Sequence, residues 1–545
     1  MSPPSSRFGS INTFYFMVVG ALCVLAFLAF LLTRLNRQGR QAATGGSKAG
    51  SEGLFLYCAA GVQAPVERII GEYLEEYGVP IRVQYGGSAT LLSQIEVSGT
   101  GDLYLAGDDG YADLAYDKGL AVERIPVAAM RPVLAVKKGN PKGIHSIRDL
   151  VRDDVRAALA NPGQAAVGQK TRKLLEEAGV WKAVEEQVTR TGVFKPTVSE
   201  VANDVKLGSV DVGIVWDSTV AQYPELEAVR SEVLDRGTAQ VAIAVLRKSK
   251  TPSAALKFAR FLSARDRGLK HFAATGHEPV DGDIWQETPE ITFFAGSVNR
   301  RALEPIIKEF QQREGVIVNT VYNGCGILTA QMRTLRESPG SGFPDVYMAC
   351  DVYYLETVKD LFQEGVNVSN TDIVIVTQAG NPKNIQNLED LTRPDMRVVV
   401  GQPDQCTIGV LTRRLLESSG VYERVKPNIK SEMQTSAMLV PQITTGAADA
   451  VLAYATDTLA EADKLHVVPI DSPLAAAIQP FSIARSSDFK YLGQRLFAAI
   501  ARSPEAFTAA GFKWRLPLVN NATASGSSGR VSGDTVGKPN EPESK

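Results

Sequence analysis

The chain is poor in the residues that most catalytic and metal chemistry needs. It has four histidines and five cysteines in 545 residues. The cysteines (Cys23, Cys58, Cys325, Cys350, Cys406) include no Cys-x-x-Cys pair, so neither a zinc module nor a dense disulfide framework is indicated. Charge of either sign is also missing as an excess, because 58 Lys plus Arg stand against 60 Asp plus Glu. Nucleic-acid binding is therefore disfavoured, and no acidic solvating block is present. Long apolar runs are absent but for one.

That run is Phe14 to Leu32, without a charge and of bilayer length. Small residues suited to signal-peptide cleavage do not follow closely, since Arg34, Arg37 and Arg40 come first. The segment is expected to be an uncleaved transmembrane signal anchor over 12–33, after a stub at 1–11 and before a flexible linker at 34–52. The three arginines behind it run against the positive-inside rule, with only Arg7 and the amino terminus ahead of it. The soluble part is still expected outside the cytoplasmic membrane, facing periplasm or cell exterior, because long domains cross regardless of flanking charge. The Gly, Ser, Pro and Glu-rich end, 520–545, reads as a disordered tail.

What fills the space between is said twice. Gly139-Asn-Pro-Lys142 returns as Gly380-Asn-Pro-Lys383, and Gly101-Asp-Leu-Tyr-Leu-Ala-Gly-Asp108 as Pro344-Asp-Val-Tyr-Met-Ala-Cys-Asp351. Tyr85-Gly-Gly-Ser88 returns as Tyr322-Asn-Gly-Cys325, and Phe272-Ala-Ala-Thr-Gly276 as Phe507-Thr-Ala-Ala-Gly511. Counterparts stay about 240 residues apart, far beyond any solenoid repeat. Two whole units follow, 53–282 and 289–516.

Each unit alternates short apolar runs with helical patterns, an order that gives parallel α/β. First strands are expected at Leu54 to Ala60 and Ile291 to Gly296, helices at Ala64 to Tyr77 and Arg301 to Glu314, and second strands at Ile81 to Tyr85 and Val316 to Tyr322. Ligands of open parallel sheets sit at the strand carboxyl ends, where helix N-termini present unpaired N–H groups. The loops there are Cys58-Ala-Ala-Gly-Val62, Phe294-Ala-Gly-Ser297, Gly86-Gly-Ser-Ala-Thr90 and Asn323-Gly-Cys-Gly326. One such loop usually serves only the turn and the cap. Four at matching positions point to a cleft.

Ala-Ala-Gly-Val after the first strand, Gly86-Gly-Ser-Ala-Thr-Leu-Leu-Ser-Gln-Ile95, Gly101 to Asp108, Asn161-Pro162 with Gly168, and Val212-Gly-Ile-Val-Trp-Asp-Ser-Thr-Val-Ala221 resemble the molybdate-binding proteins of ABC importers. The resemblance implies two tandem type II periplasmic-binding-protein units, each two-lobed, with an oxyanion held in the hinge cleft by neutral donors. It also implies an ABC permease as partner, and neither enzyme activity nor a cofactor. Its ligand positions fall at Gly61, Ser88, Val167, Val198 and Trp216 in unit 1, and at Ser297, Cys325, Ile408, Ser436 and Tyr454 in unit 2. The family's hydroxyls survive unequally: unit 1 keeps Ser88 alone, whereas unit 2 keeps Ser297 and Tyr454 and has Cys325 for a serine. Unit 2 is therefore the expected site.

Cys325, Cys350 and Cys406 fall at expected strand ends in unit 2, and Cys58 does so in unit 1. Three readings stay open: small semi-apolar fillers, a disulfide between Cys325 and Cys406 in an oxidising compartment, or ligands to a thiophilic metal or metalloid. Asp108-Asp109 and Asp351 fit helix capping better than acid-base work. A sensor or scaffold with a decayed cleft is the alternative to transport.

Overall fold

The computed structural model describes residues 53–336 and 342–517. The anchor at 12–33, the linker to residue 52 and the tail at 520–545 lie outside the described residues. Among the described residues no helix is long and apolar enough to cross a membrane.

Strand Leu54–Ala59 is buried at every position but Phe55, because it lies between parallel neighbours Ile81–Gly86 and Leu103–Ala106 and under helices. Helix Gln63–Tyr77 follows it and stops at Gly78, whose φ of 67° no side chain opposes; its counterpart Arg300–Glu314 stops at Gly315 with φ 66°. In unit 2 the first two strands are Glu290–Gly296 and Ile317–Asn323. The expected elements are present, with ends moved by a residue or two.

Unit 1 has two sheets, hence two lobes. A six-stranded sheet runs Glu278–Pro279, Ala121–Met130, Ala239–Leu246, Leu103–Ala106, Leu54–Ala59, Ile81–Gly86, and a five-stranded one runs Val193–Lys195, Ala157–Ala160, Val212–Trp216, Pro132–Lys137, Leu226–Val229. Neither sheet is purely parallel: Ala239–Leu246 runs antiparallel to both neighbours, and Pro132–Lys137 is antiparallel to Val212–Trp216. The chain crosses between lobes twice, and the strands that carry it across enter against the parallel grain. In unit 2 one continuous strand, Val366–Gln378, pairs with Ala476–Ile483 in one lobe and Ala450–Tyr454 in the other. Unit 1 breaks the same crossing at Arg131, where Pro132 begins the next strand.

The repeated Gly-Asn-Pro-Lys word is architecture. Asn140 and Asn381 have φ of 45° and 47°, and each amide side chain both donates to and accepts from the residue four ahead, Ile144 or Ile385, at 2.7 to 3.0 Å. The short helix after each is closed by a reciprocal cap, Ser146 with Asp149 and Asn387 with Asp390.

Each unit has its own hydrophobic core, one from Leu54 to Phe272 and one from Ile291 to Phe512. They join through the lobes that begin each unit. Glu314 is buried there between Arg495, whose Nε reaches Oε1 at 2.7 Å, and Arg260, whose Nη1 reaches Oε2 at 3.3 Å. Both arginines hold the Glu314 carboxyl below the usual range despite its burial. Arg313 pairs with Glu123 across the same junction, and the Asp283 carboxylate accepts from the N–H groups of Tyr491 and Leu492, each at 2.9 Å. The remaining lobe of each unit stands free of these contacts.

Candidate functional site

The two clefts are built alike and filled differently. In unit 1, helix Ser88–Ser98 starts just after the second strand, and helices Ala166–Glu177 and Val198–Leu207 start across from it in the other lobe. Gly87 fits there because a Cβ would stand 2.3 Å from the Gln164 carbonyl oxygen. Ala89 N–H donates to that carbonyl at 3.0 Å, tying one lobe to the other. Unit 2 repeats this contact: Gly326 N–H donates to Gln405 O at 3.0 Å, and a Cβ on Gly324 would lie 2.4 Å from the same oxygen.

Gly61, Ser88, Val167, Val198 and Trp216 do line one cavity, together with Ala165, Ala166 and Thr197. That cavity measures only about 20 Å³, room for roughly one water. Trp216 lines it, 2 % exposed at the end of strand Val212–Trp216. Ser88 is the remaining hydroxyl, and its Oγ accepts from Gly107 N–H at 3.1 Å.

In unit 2, Tyr454 ends the equivalent strand, Ala450–Tyr454, fully buried. Its hydroxyl has no hydrogen-bond partner among the described residues, and neither have Ser436 Oγ and Thr407 Oγ1. Ser436 opens a short helical turn after Thr435 as Val198 does after Thr197, and Thr407 opens helix Thr407–Ser418 as Ala166 opens its own. Three buried hydroxyls thus lack partners where unit 1 has Trp216, Val198 and Ala166. A buried hydroxyl without a partner costs about 1 to 3 kcal/mol, so these three, at the positions equivalent to the lining of the unit 1 cavity, are the candidate site of unit 2. Burial holds the Tyr454 phenol well above its ordinary value, which keeps it a donor. Ile408, beside Thr407, offers only its main chain near the helix start. Ser297 heads the 3-10 turn after the first strand, where unit 1 has Ala60; the strand register sets Gly61 opposite Val298 instead, one residue off the expected equivalence.

Thr407 was missed by sequence reasoning, which carried only the next residue, Ile408, over from the family. The signal was there, a hydroxyl at the first position of a helix opposite Ala166. Asp457 was missed too. Its enclosed Oδ2 has no partner, and burial pushes the carboxyl up to about 6, with the Ser436 hydroxyl pulling the other way without closing a hydrogen bond.

The cysteines depart from the expectation. Cys325 does not meet Cys406, because the two stand in opposite lobes and the Cys406 thiol donates to the carbonyls of Gln402 and Met433 at 3.5 and 3.4 Å. Its neighbour is Cys350, Sγ to Sγ 3.0 Å, and Cys350 N–H donates to Cys325 Sγ at 3.2 Å. All four cysteines of the described residues are free thiols. Cys58 packs into the unit 1 core and does not line the cleft. Among the described residues no three or more His, Cys, Asp or Glu side chains are grouped to hold a metal, Cys325, Cys350 and Cys406 included. Burial raises the Cys325 thiol, but its hydrogen bonds with Cys350, with the Thr407 and Tyr347 hydroxyls nearby pulling the same way without closing hydrogen bonds, outweigh it and bring it down to about 7. Cys350 goes up, through that same hydrogen bond first and burial second. Asp108 and Asp351 cap the helices after them, accepting from Gly110 N–H and Tyr353 N–H, each at 3.0 Å.

The family model for bacterial extracellular solute-binding proteins matches this chain twice, over 54–277 and 291–513. A Haemophilus influenzae protein described as a binding protein is 30% identical over 230 residues, 42% of this chain and 91% of that one. The molybdate-binding protein ModA of Mycobacterium tuberculosis (H37Rv) is 30% identical over 203 residues, 36% of this chain and 73% of its own. Among solved structures, the periplasmic molybdate-binding protein of Azotobacter vinelandii aligns at 18% identity and a TM-score of 0.36, covering 41% of this chain and 98% of that one.

Proposed function

The chain belongs to the bacterial extracellular solute-binding protein family, and from that membership we propose that its second unit captures a small tetrahedral oxyanion of the molybdate or tungstate kind for an ABC importer. The observation that carries this reading is the trio of unpartnered buried hydroxyls, Thr407, Ser436 and Tyr454. With Ser297, Cys325 and the helix-start amides, they form a set of neutral donors and no lysine or arginine. Such a set selects by geometry and protonation, because an ion of the wrong size or proton count leaves a donor unpaired. The molybdate-binding names of relatives support the choice of anion.

Phe14 to Leu32 would hold the protein at the cytoplasmic membrane, with both units outside. Closure of the free lobe over the anion would then present the loaded form to a permease.

A second role is favoured for unit 1 by one observation: its cleft, lined by Trp216, leaves only about 20 Å³. There the fold serves as a scaffold that carries unit 2. Titration calorimetry of the full chain in detergent against molybdate, tungstate, sulfate and phosphate tests the reading. Binding confined to the first two is expected; no binding of any of the four would reject it.

A further inference from the structure

Three positions have changed together at the floor of the unit 2 cleft. Where unit 1 has Ala59, Ser88 and Gly107, unit 2 has Gly296, Cys325 and Cys350. The framework is kept, since the N–H of residue 350 meets the Cys325 sulfur as the N–H of Gly107 meets the Ser88 hydroxyl. The glycine makes room for the sulfurs: a Cβ on residue 296 would lie 2.1 Å from Cys350 Sγ and 2.9 Å from Cys325 Sγ. Both thiols belong to one lobe, on helix Cys325–Arg336 and just after strand Val346–Met348, so bonding them would leave the hinge free.

We propose that Cys325 and Cys350 are a reversible disulfide site in the anion cleft of unit 2, oxidised by small-molecule disulfides when the cleft opens.

The two sulfurs, 3.0 Å apart, need close by only about 1 Å to reach bonding distance. Their environments suit them to unequal parts. Cys325 stands at a helix N-terminus among hydrogen-bond donors and ionises more readily than an ordinary thiol, which makes it the attacking sulfur. In the first step the Cys325 thiolate attacks one sulfur of the small disulfide, forming a mixed disulfide and releasing one thiolate. In the second, Cys350 loses its proton and attacks the Cys325 sulfur, releasing the second thiolate. The protein gives up two electrons and two protons, and the small disulfide is reduced to two thiols.

The consequence for the anion rests on the oxyanion reading. A bonded Cys325 has no S–H to donate, so affinity measured near pH 6, where the free thiol is protonated, should fall by about 5-fold.

The test takes the full chain, treats it with oxidised glutathione or with dithiothreitol, blocks free thiols by alkylation and maps the peptides by mass spectrometry. The expected result is a Cys325–Cys350 cross-linked peptide that dithiothreitol abolishes, with Cys58 and Cys406 alkylated throughout. Absence of the cross-link, a Cys325–Cys406 link, or a lasting glutathione adduct on Cys325 alone would overturn the proposal. Molybdate titration of both forms is the second arm: Cys325→Ser, which removes the attacking sulfur, should make the affinity indifferent to glutathione, and wild-type affinity unchanged by oxidation would overturn the coupling to the cleft. No molybdate binding in either form would count against the oxyanion reading, while the mapped peptides still decide the thiol site.

Discussion

The indole of Trp216 lies against the bare backbone of Gly61: a Cβ at residue 61 would stand 3.2 Å from Trp216 Cδ1 and 3.1 Å from Val198 Cγ1. In unit 2 the same two positions are Val298 and Tyr454, a larger residue facing a smaller ring. Bulk has moved from one side of the cleft to the other, and with it went the ring hydroxyl. The unit 1 cleft is therefore filled in a way that its fold alone does not require.

Adding a hydroxyl at residue 61 and shrinking the ring that faces it should reopen the cleft. Gly61→Ser alone meets the indole and should destabilise the chain by about 1 to 3 kcal/mol through overpacking. With Trp216→Tyr added, that penalty should shrink and a second oxyanion site should appear in calorimetry. A double variant that stays at the wild-type stoichiometry would show that Val198 and Ala166 also keep the cleft closed to anions.

Cys325 gives unit 2 a pH dependence. Below about 7 it is a neutral thiol, and above it a thiolate that repels a bound anion, so affinity should fall as pH rises through that value. The titratable groups around it, Cys350, Cys406, Tyr347, Tyr354 and Tyr454, are all raised and stay neutral there. Asp457 is the exception, ionising near 6, and Asp457→Asn removes its part of the profile. Cys325→Ser should hold or improve oxyanion affinity and flatten the profile above about 7. Loss of binding in Cys325→Ser would instead indicate a thiophilic ligand.

Glu314 holds the two units together through buried charge. Glu314→Ala leaves Arg260 and Arg495 buried without their carboxylate and should cost about 3 to 5 kcal/mol in denaturant unfolding. Because the folded carboxyl is held below its unfolded value, its contribution is present above about pH 4.5 and is lost as pH falls. A variant as stable as wild type would mean that water reaches the junction.

Much of this was legible in the sequence because repetition is robust to local error. Residues such as Ser88 and Cys325, or Trp216 and Tyr454, could be paired from flanking words alone, and strand Leu54–Ala59 announced itself by apolar content. The mixed sheets were not legible, since the return of Ala239–Leu246 against its neighbours depends on where the chain crosses between lobes. Nor was the Cys325–Cys350 contact: 25 residues separate the two in sequence, and only the lobe boundary shows that Cys406 faces them from across the cleft. Thr407 lay hidden for a similar reason, because an unpartnered hydroxyl is a property of surroundings that no motif records.

The most direct test of the central claim is the stoichiometry of molybdate binding by the full chain in detergent, measured by titration calorimetry near pH 6. The account predicts one site per chain, retained in Ser88→Ala and lost in Ser297→Ala with Tyr454→Phe, where each missing donor costs roughly 1.5 to 3 kcal/mol. Two equal sites, or a single site that disappears with Ser88→Ala and survives the paired change, would contradict it.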